Sequence, residues 1–304
     1  MSMTTRALRE RVERLQAERV PFVHARVVLA ERPTSAKPGD EAIVLADGTI
    51  EGFVGGQCAL ATLRAQGLAV LERRESTLLR IAPRPEPEQP GKTVVHNPCQ
   101  SGGTLEIFME PVLPAPLVRI LGTTPIGVAL ASVGGALGYD MQPWDSGCCG
   151  APDLATTDAV VVASHGNGEE AVLEAAIRAG VPYVGLVASR KRGAAVLASL
   201  DLTDEQRASV RTPAGLDIGA RTAEEVALSI LAEIVVTRTA EPRSSSAAAP
   251  VATAVDPVCH MDVAMVTSSI SAEVDGTTRW FCCADCRDRF VANPSAFDTA
   301  ASRA

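Results

Sequence analysis

Apolar and polar positions alternate most cleanly around residue 105, where Leu105, Ile107 and Met109 interleave with Glu106, Phe108 and Glu110. A period of two sends one set to each face, so this segment reads as a half-buried strand. Shorter β-like runs precede it at residues 25–30, 42–45 and 49–53, and the last two meet across Asp47-Gly48, the dipeptide of a tight hairpin. A helical period opens the chain instead, with Leu8, Val12 and Leu15 on one stripe among Arg and Glu. After Val54-Gly55-Gly56-Gln57-Cys58 the pattern predicts a helix through Arg74, and a proline-rich loop follows at residues 83–90. Asn97-Pro98-Cys99-Gln100-Ser101-Gly102-Gly103 then forms a second glycine-bearing loop.

From residue 117 onward strand and helix patterns take turns. Strands are expected at 117–121, toward Asp145, at 159–163 and at 183–187, with helices to Gly138, over 169–179 and beyond 187. That order implies βαβ units and a parallel sheet covered by helices on both faces. Thr222-Ala223-Glu224-Glu225 has the form of a capping box and opens an apolar helix through Val226, Ile230 and Ile234. Residues 117–139 are the most apolar stretch, but Arg119, Pro125 and five glycines make them a strand, a turn and a helix rather than a membrane span.

Two breaks divide the chain. Three prolines between Glu110 and Pro116 separate differently patterned halves, and residues 239–254 lose all apolar periodicity, as a flexible linker does. The expected architecture is α/β: an N-terminal α+β domain (1–115), a parallel-sheet domain (116–238), a linker (239–255) and a small cysteine-rich module (256–304). A hydrophobic content of 46% suits buried cores. The net charge of −8 and the lack of a basic cluster argue against nucleic acid as a partner. Residues 1–20 lack the apolar core of a secretory signal, so a cytoplasmic location is expected.

Eight cysteines in such a chain point to metal or thiol chemistry rather than disulfides. Cys58 falls at a predicted helix N-terminus, where the helix dipole favours anions and lowers a thiol pKa. Cys99 sits in the second glycine loop. Together they suit a sulfur-rich or phosphorylated ligand, or they are small buried residues. Gly122-Thr123-Thr124-Pro125-Ile126-Gly127 follows a strand and opens a helix, with Asp145 placed 23 residues after Gly122. This is the setting of a dinucleotide fingerprint, but the middle glycine is missing and Thr124 crowds the phosphate approach. The vicinal pair Cys148-Cys149 is a plain loop or a thiol site. In the last unit Cys259 precedes Cys282 and Cys286, whose spacing on a first helical turn would put both sulfurs on one face, with Cys283 as an alternative partner for Cys286.

As whole segments these features resemble the XdhC/CoxI family of molybdenum-cofactor maturation proteins. The resemblance is carried by ADGTIEGFVGGQC (46–58), CQSGGTLEIFMEPV (99–112), LVRILGTTPIGVALA (117–131), VVVASHGNGEE (160–170), PYVGLVASRKR (182–192) and GLDIGARTAEEVALSILAEIV (215–235). It implies a Rossmann-like second domain and an accessory protein, not an enzyme, that binds molybdenum cofactor for a carbon monoxide or xanthine dehydrogenase apo-enzyme. Cofactor contacts would then come from Gly55, Gly56, Cys58, Cys99, Gly102, Gly103, Gly122, Gly127, Asp145 and His165, while residues 189–192 would meet ligand or partner. The resemblance also admits a sulfurtransferase or a cofactor nucleotidyltransferase as partner, and a homodimer. Residues 256–304 resemble a YHS domain, with Cys259, Cys282 and Cys286 at the family's cysteine positions, His260 in place of the usual glycine as a fourth ligand, and Zn or Cu as the metal. Two alternatives stay open: an NAD(P)-dependent oxidoreductase, for which only His165 offers a catalytic group, and a metal-sensing or metal-trafficking protein.

Overall fold

A computed structural model of the chain describes residues 5–98, 103–144, 154–164, 166, 168–240 and 251–297. The chain forms two compact units, one from residues 1–114 with 247–304, the other from residues 115–246. The first unit opens with α1 (Thr5–Ala17), β1 (Phe22–Glu31), β2 (Glu41–Leu45), β3 (Ile50–Gly52), α2 (Gln57–Arg73), β4 (Thr77–Ala82), β5 (Lys92–His96) and β6 (Thr104–Val112). Its sheet runs β3-β2-β1-β6-β4-β5. The β4–β5 pair is parallel and the other neighbours are antiparallel. Leu105, Ile107 and Met109 point inward as their alternation requires, and they share a core with Val23, Ala25 and Val27 of β1 and Ala59, Leu63 and Val70 of α2. The opposite face buries Phe22 and Ile43 under Leu8 and Leu15 of α1. Gly48 takes φ +79 in the β2–β3 turn, the conformation the hairpin needs. Strands β4 and β5, hidden in the sequence by the prolines between them, are tied on the sheet by Arg80 to Glu86 and Glu106, and by Lys92 to Glu106.

The second unit contains β7 (Leu117–Leu121), α3 (Pro125–Ala136), β8 (Asp140–Trp144), β9 (Ala159–Val162), α4 (Glu169–Arg178), β10 (Tyr183–Leu186), α5 (Arg190–Ser199), α6 (Asp204–Ser209) and α7 (Ala223–Ala240). All strand pairs are parallel, in the order β10-β9-β7-β8. Helices cover both faces. Ala129 and Leu130 of α3 pack with Ala227, Ile230 and Ile234 of α7 on one side; Val172, Leu173 and Ala176 of α4 fill the other. The capping box of α7 forms as its sequence predicts: Glu225 N–H donates to Thr222 Oγ1 at 3.2 Å, and Thr222 N–H donates to Glu225 Oε2 at 3.0 Å.

The chain then completes the first unit with β11 (Thr253–Val255), β12 (Asp262–Ala264), β13 (Ile270–Val274), β14 (Thr277–Phe281) and α8 (Ala284–Ala292). Thr253–Val255, which composition places in the linker, pairs with β12 in an antiparallel ribbon. Asp275 and Gly276 turn the β13–β14 hairpin with φ of 51 and 71, the paired positive values of a tight hairpin turn. The module's core gathers Met261, Val263, Phe281 and Phe290, and Ala61 of α2 belongs to the same cluster. Helix α2 is therefore buried on two faces, with Ala59, Leu63 and Val70 on the sheet and Ala61 on the module. Its sequence is apolar nearly all round for this reason.

Candidate functional site

The site is assembled from the turn that follows β11. Asp256 is fully buried, and a buried carboxylate is tolerated only where its oxygens are satisfied. Its Oδ1 accepts from the N–H groups of Val258 at 2.8 Å and Cys259 at 3.3 Å, and its Oδ2 accepts from Cys282 N–H at 2.8 Å. One side chain thus pins two cysteine-bearing segments that are distant in sequence. Cys282 directly follows β14, and Cys283 is the N-cap of α8 in an extended conformation at φ −153, so only Cys286 lies within the helix. The expectation of Cys282 and Cys286 on one helical turn is corrected accordingly. Their sulfurs still approach to 3.7 Å, and Cys259 Sγ lies 3.5 Å from Cys282 Sγ, because Asp256 holds the turn against the end of the strand.

Two donor sets result. Asp256, Cys259, Cys282 and Cys286 place one atom each within 4.8 Å of one another, and Cys58, Cys282 and Cys283 do the same. His260 is in neither set: it is exposed, with φ +62, the left-handed conformation that favours glycine. Asp256, not His260, supplies the fourth donor beside the three module cysteines. Sequence offered one signal for it, an Asp two residues before the turn's N–H donors, as in Asx turns. The first set fits a thiophilic ion with a hard fourth ligand, as Zn accepts. Among these thiols Cys259 is held below its ordinary pKa, chiefly by the hydrogen bond from Cys282. Cys282 is pushed up by its sulfur contacts with Cys259 and then Cys58, and Cys286 is pushed up by burial and then by the Asp256 charge. Metal binding would displace these protons, so affinity decreases as pH is lowered.

Gly55 and Gly56 lead into α2. Gly55 takes φ +136, and Gly56 is an N-cap without a side-chain hydrogen bond, with open space where a Cβ would sit. Gly56 has no side chain to cap the helix and leaves room for an anionic group to approach its N-terminus. Cys58, the second residue of this helix, points its sulfur toward Cys282 and Cys283 of the module. Gly103 has a packing role, since a Cβ there would lie 2.3 Å from the Pro33 carbonyl oxygen. Cys99 and Gly102 lie outside the described residues.

In the second unit the strand order reverses between β7 and β9, the position at which such sheets form a crevice. Gly122 follows β7 with φ +102, and a Cβ on it would lie 2.4 Å from the Ala163 carbonyl oxygen; one on Gly127 would meet the Gly122 oxygen at 2.7 Å. Both glycines are required by close backbone packing. Thr124 caps α3 by accepting from Gly127 N–H at 3.3 Å, engaging an N–H that a phosphate would otherwise use. At the end of β9 a buried carboxylate, Glu169, accepts from Ser164 Oγ at 3.0 Å and Gly166 N–H at 2.8 Å, and pairs with Arg192. Burial opposes its ionisation, but Arg192, Gly166 and Ser164 outweigh it and hold the carboxyl below its ordinary range. Arg192 is therefore committed to an ion pair, and Ser189 caps α5, while Arg190 and Lys191 are exposed. Asp145, Cys148, Cys149 and His165 lie outside the described residues. No helix among the described residues is long and apolar enough to cross a membrane.

Residues 118–234 match the XdhC Rossmann domain, and residues 15–82 match the XdhC and CoxI family; together the matches cover more than half of the chain. The chain belongs to the XdhC and CoxI family. Its parallel-sheet unit is the family's Rossmann domain, and the cysteine-rich module lies outside both matches. Among curated proteins it is 26% identical over 249 residues to the uncharacterized protein YqeB of Escherichia coli, covering 73% of this chain and 44% of that one. It is 31% identical over 172 residues to the molybdenum cofactor insertion chaperone PaoD of the same organism, covering 55% and 54%. The chain spans about half the length of these curated relatives. A crystal structure described as a xanthine dehydrogenase from Bacillus halodurans aligns with 78% of the chain and 97% of its own length, at 16% identity and a TM-score of 0.38.

Proposed function

We propose that this protein is a cytoplasmic maturation chaperone, without catalytic activity of its own, that holds a molybdenum cofactor and passes it to the apo-form of a molybdenum hydroxylase. Carbon monoxide dehydrogenase and xanthine dehydrogenase types are the targets in view. The observation that carries the reading is family membership across both the sheet domain and the Rossmann domain, joined to a 31% identical relative that is a molybdenum cofactor insertion chaperone. The geometry of the α2 start is compatible with it. Gly56 leaves room for a phosphate at the helix N-terminus, and the family resemblance assigns Cys99 and Gly102 to the same ligand. When bound, the cofactor supplies redox chemistry to the target enzyme; this chain's residues would bind it, exclude water and release it. The cysteine-rich module supports a second reading within the same frame, metal handling by Asp256, Cys259, Cys282 and Cys286 with Zn or Cu as the ion.

The test is molybdenum content after purification from a cofactor-producing host, followed by activation of an apo-hydroxylase. Wild-type protein is expected to retain molybdenum and to activate the target. Gly56→Val, whose Cβ meets nothing within 4 Å, and Cys99→Ala should each lower retention. A wild-type protein that carries no molybdenum and activates no apo-hydroxylase would overturn the reading.

A further inference from the structure

Five cysteines lie among the described residues, and all of them converge on one place without a disulfide. Four belong to the C-terminal module. The fifth, Cys58, is the second residue of α2 and comes from the sheet domain. Ala61, one turn further on, is buried in the module's core, and Cys58 packs against the same cluster while only partly buried. Cys58, Cys282 and Cys283 bring their sulfurs within 4.8 Å of one another. Neither Cys58 nor Cys283 is fully buried, so an ion has access to both.

We propose that Cys58, Cys282 and Cys283 form a metal site divided between the sheet domain and the C-terminal module, one that binds a soft monovalent cation of the Cu(I) class. The donors are all sulfur, which selects soft ions. They number three with no fourth donor in the set, whereas a closed zinc site takes four. Cys282 also belongs to the adjoining set of Asp256, Cys259 and Cys286, so an ion can pass between the two sets by exchanging one sulfur at a time. Each thiol that binds releases its proton to solvent, and no electron is transferred. The divided site also ties the module to the start of α2, next to the open space beside Gly56. This inference stands whichever cofactor the sheet domain carries.

The experiment uses the full chain, reduced, metal-free and anaerobic, titrated with Cu(I) in competition with the chelator bathocuproine disulfonate. In Cys58→Ser and Cys283→Ser one equivalent of Cu(I) should bind at least about tenfold more weakly than in wild type. The melting temperature of the metal-free protein and its Zn(II) binding should not change. X-ray absorption of the Cu(I)-loaded wild type should show a sulfur-only first shell. Wild-type Cu(I) affinity in both variants, or a wild type that takes no Cu(I) from the chelator, overturns the proposal. Loss of Zn(II) together with Cu(I) in Cys58→Ser would place Cys58 in a single common site and overturn it equally.

Discussion

Removing the Asp256 carboxylate should cost the C-terminal module its structure while leaving the rest of the chain folded. The side chain is fully buried and accepts from three N–H groups, two at 2.8 Å and one at 3.3 Å. Hydrogen bonds to a charged group contribute about 1.5–3 kcal/mol each, and the three share one carboxylate and are not additive. Asp256→Ala leaves the donors of Val258, Cys259 and Cys282 without their acceptor, for an expected loss of about 3–5 kcal/mol. The module's own core is small, supplying about 3–5 kcal/mol without metal beside what its contacts with Ala61 and Cys58 of α2 add, so a loss of this size removes most of its stability. Asp256→Asn should fall between, since its one carbonyl oxygen can still take the Val258 and Cys259 donors while its NH2 group faces another donor at Cys282. The chain has two tryptophans, and with Trp144→Phe as background Trp280 of β14 reports on the module alone. Urea titration of the metal-free full chain should show the Trp280 transition moved to low urea or lost in Asp256→Ala, with the main far-UV transition retained. A Trp280 midpoint within about 0.5 kcal/mol of the parent would refute the claim that this carboxylate organises the cysteines.

Two further outcomes concern the Rossmann domain. Gly122→Ala combines an unfavourable φ of +102 with a Cβ 2.4 Å from the Ala163 oxygen, so it should destabilise the domain by about 2 kcal/mol or more, read as a fall in melting temperature; an unchanged value would contradict the packing role of this glycine. Because Glu169 is held below its ordinary value of 4.5, its stabilising effect is fully present above that pH and is lost as pH falls through the lower folded-state value. Thermal melts from about pH 6 to about pH 3 should therefore fall more steeply for wild type than for Glu169→Gln, and parallel curves would refute the assignment.

Much of the fold was legible because its causes are local. The alternation around Ile107, the Asp47-Gly48 turn and the Thr222–Glu225 capping box each involve residues a few positions apart, and each formed as its pattern predicts. The βαβ order of the second half likewise dictated a parallel sheet with helices on both faces, since parallel strands need crossovers. Strands β4 and β5 escaped notice because neither alternates cleanly: they gain their identity from pairing with each other and, through β4, with β6. The candidate site was legible as a list of cysteines but not as a geometry. Sequence spacing put Cys282 and Cys286 on a helix and His260 beside them, whereas the end of β14 and the Asp256 turn decided which groups meet. Gly122 and Gly127 looked like a phosphate loop, and only the approach of Ala163 to one and of the Gly122 oxygen to the other revealed a packing cause. Cys58 shows the limit most plainly. Sequence by itself determined that it starts a helix after two glycines; that its sulfur faces Cys282 and Cys283 depends on α2 being buried between the sheet and the module, a contact between opposite ends of the chain that no local period encodes.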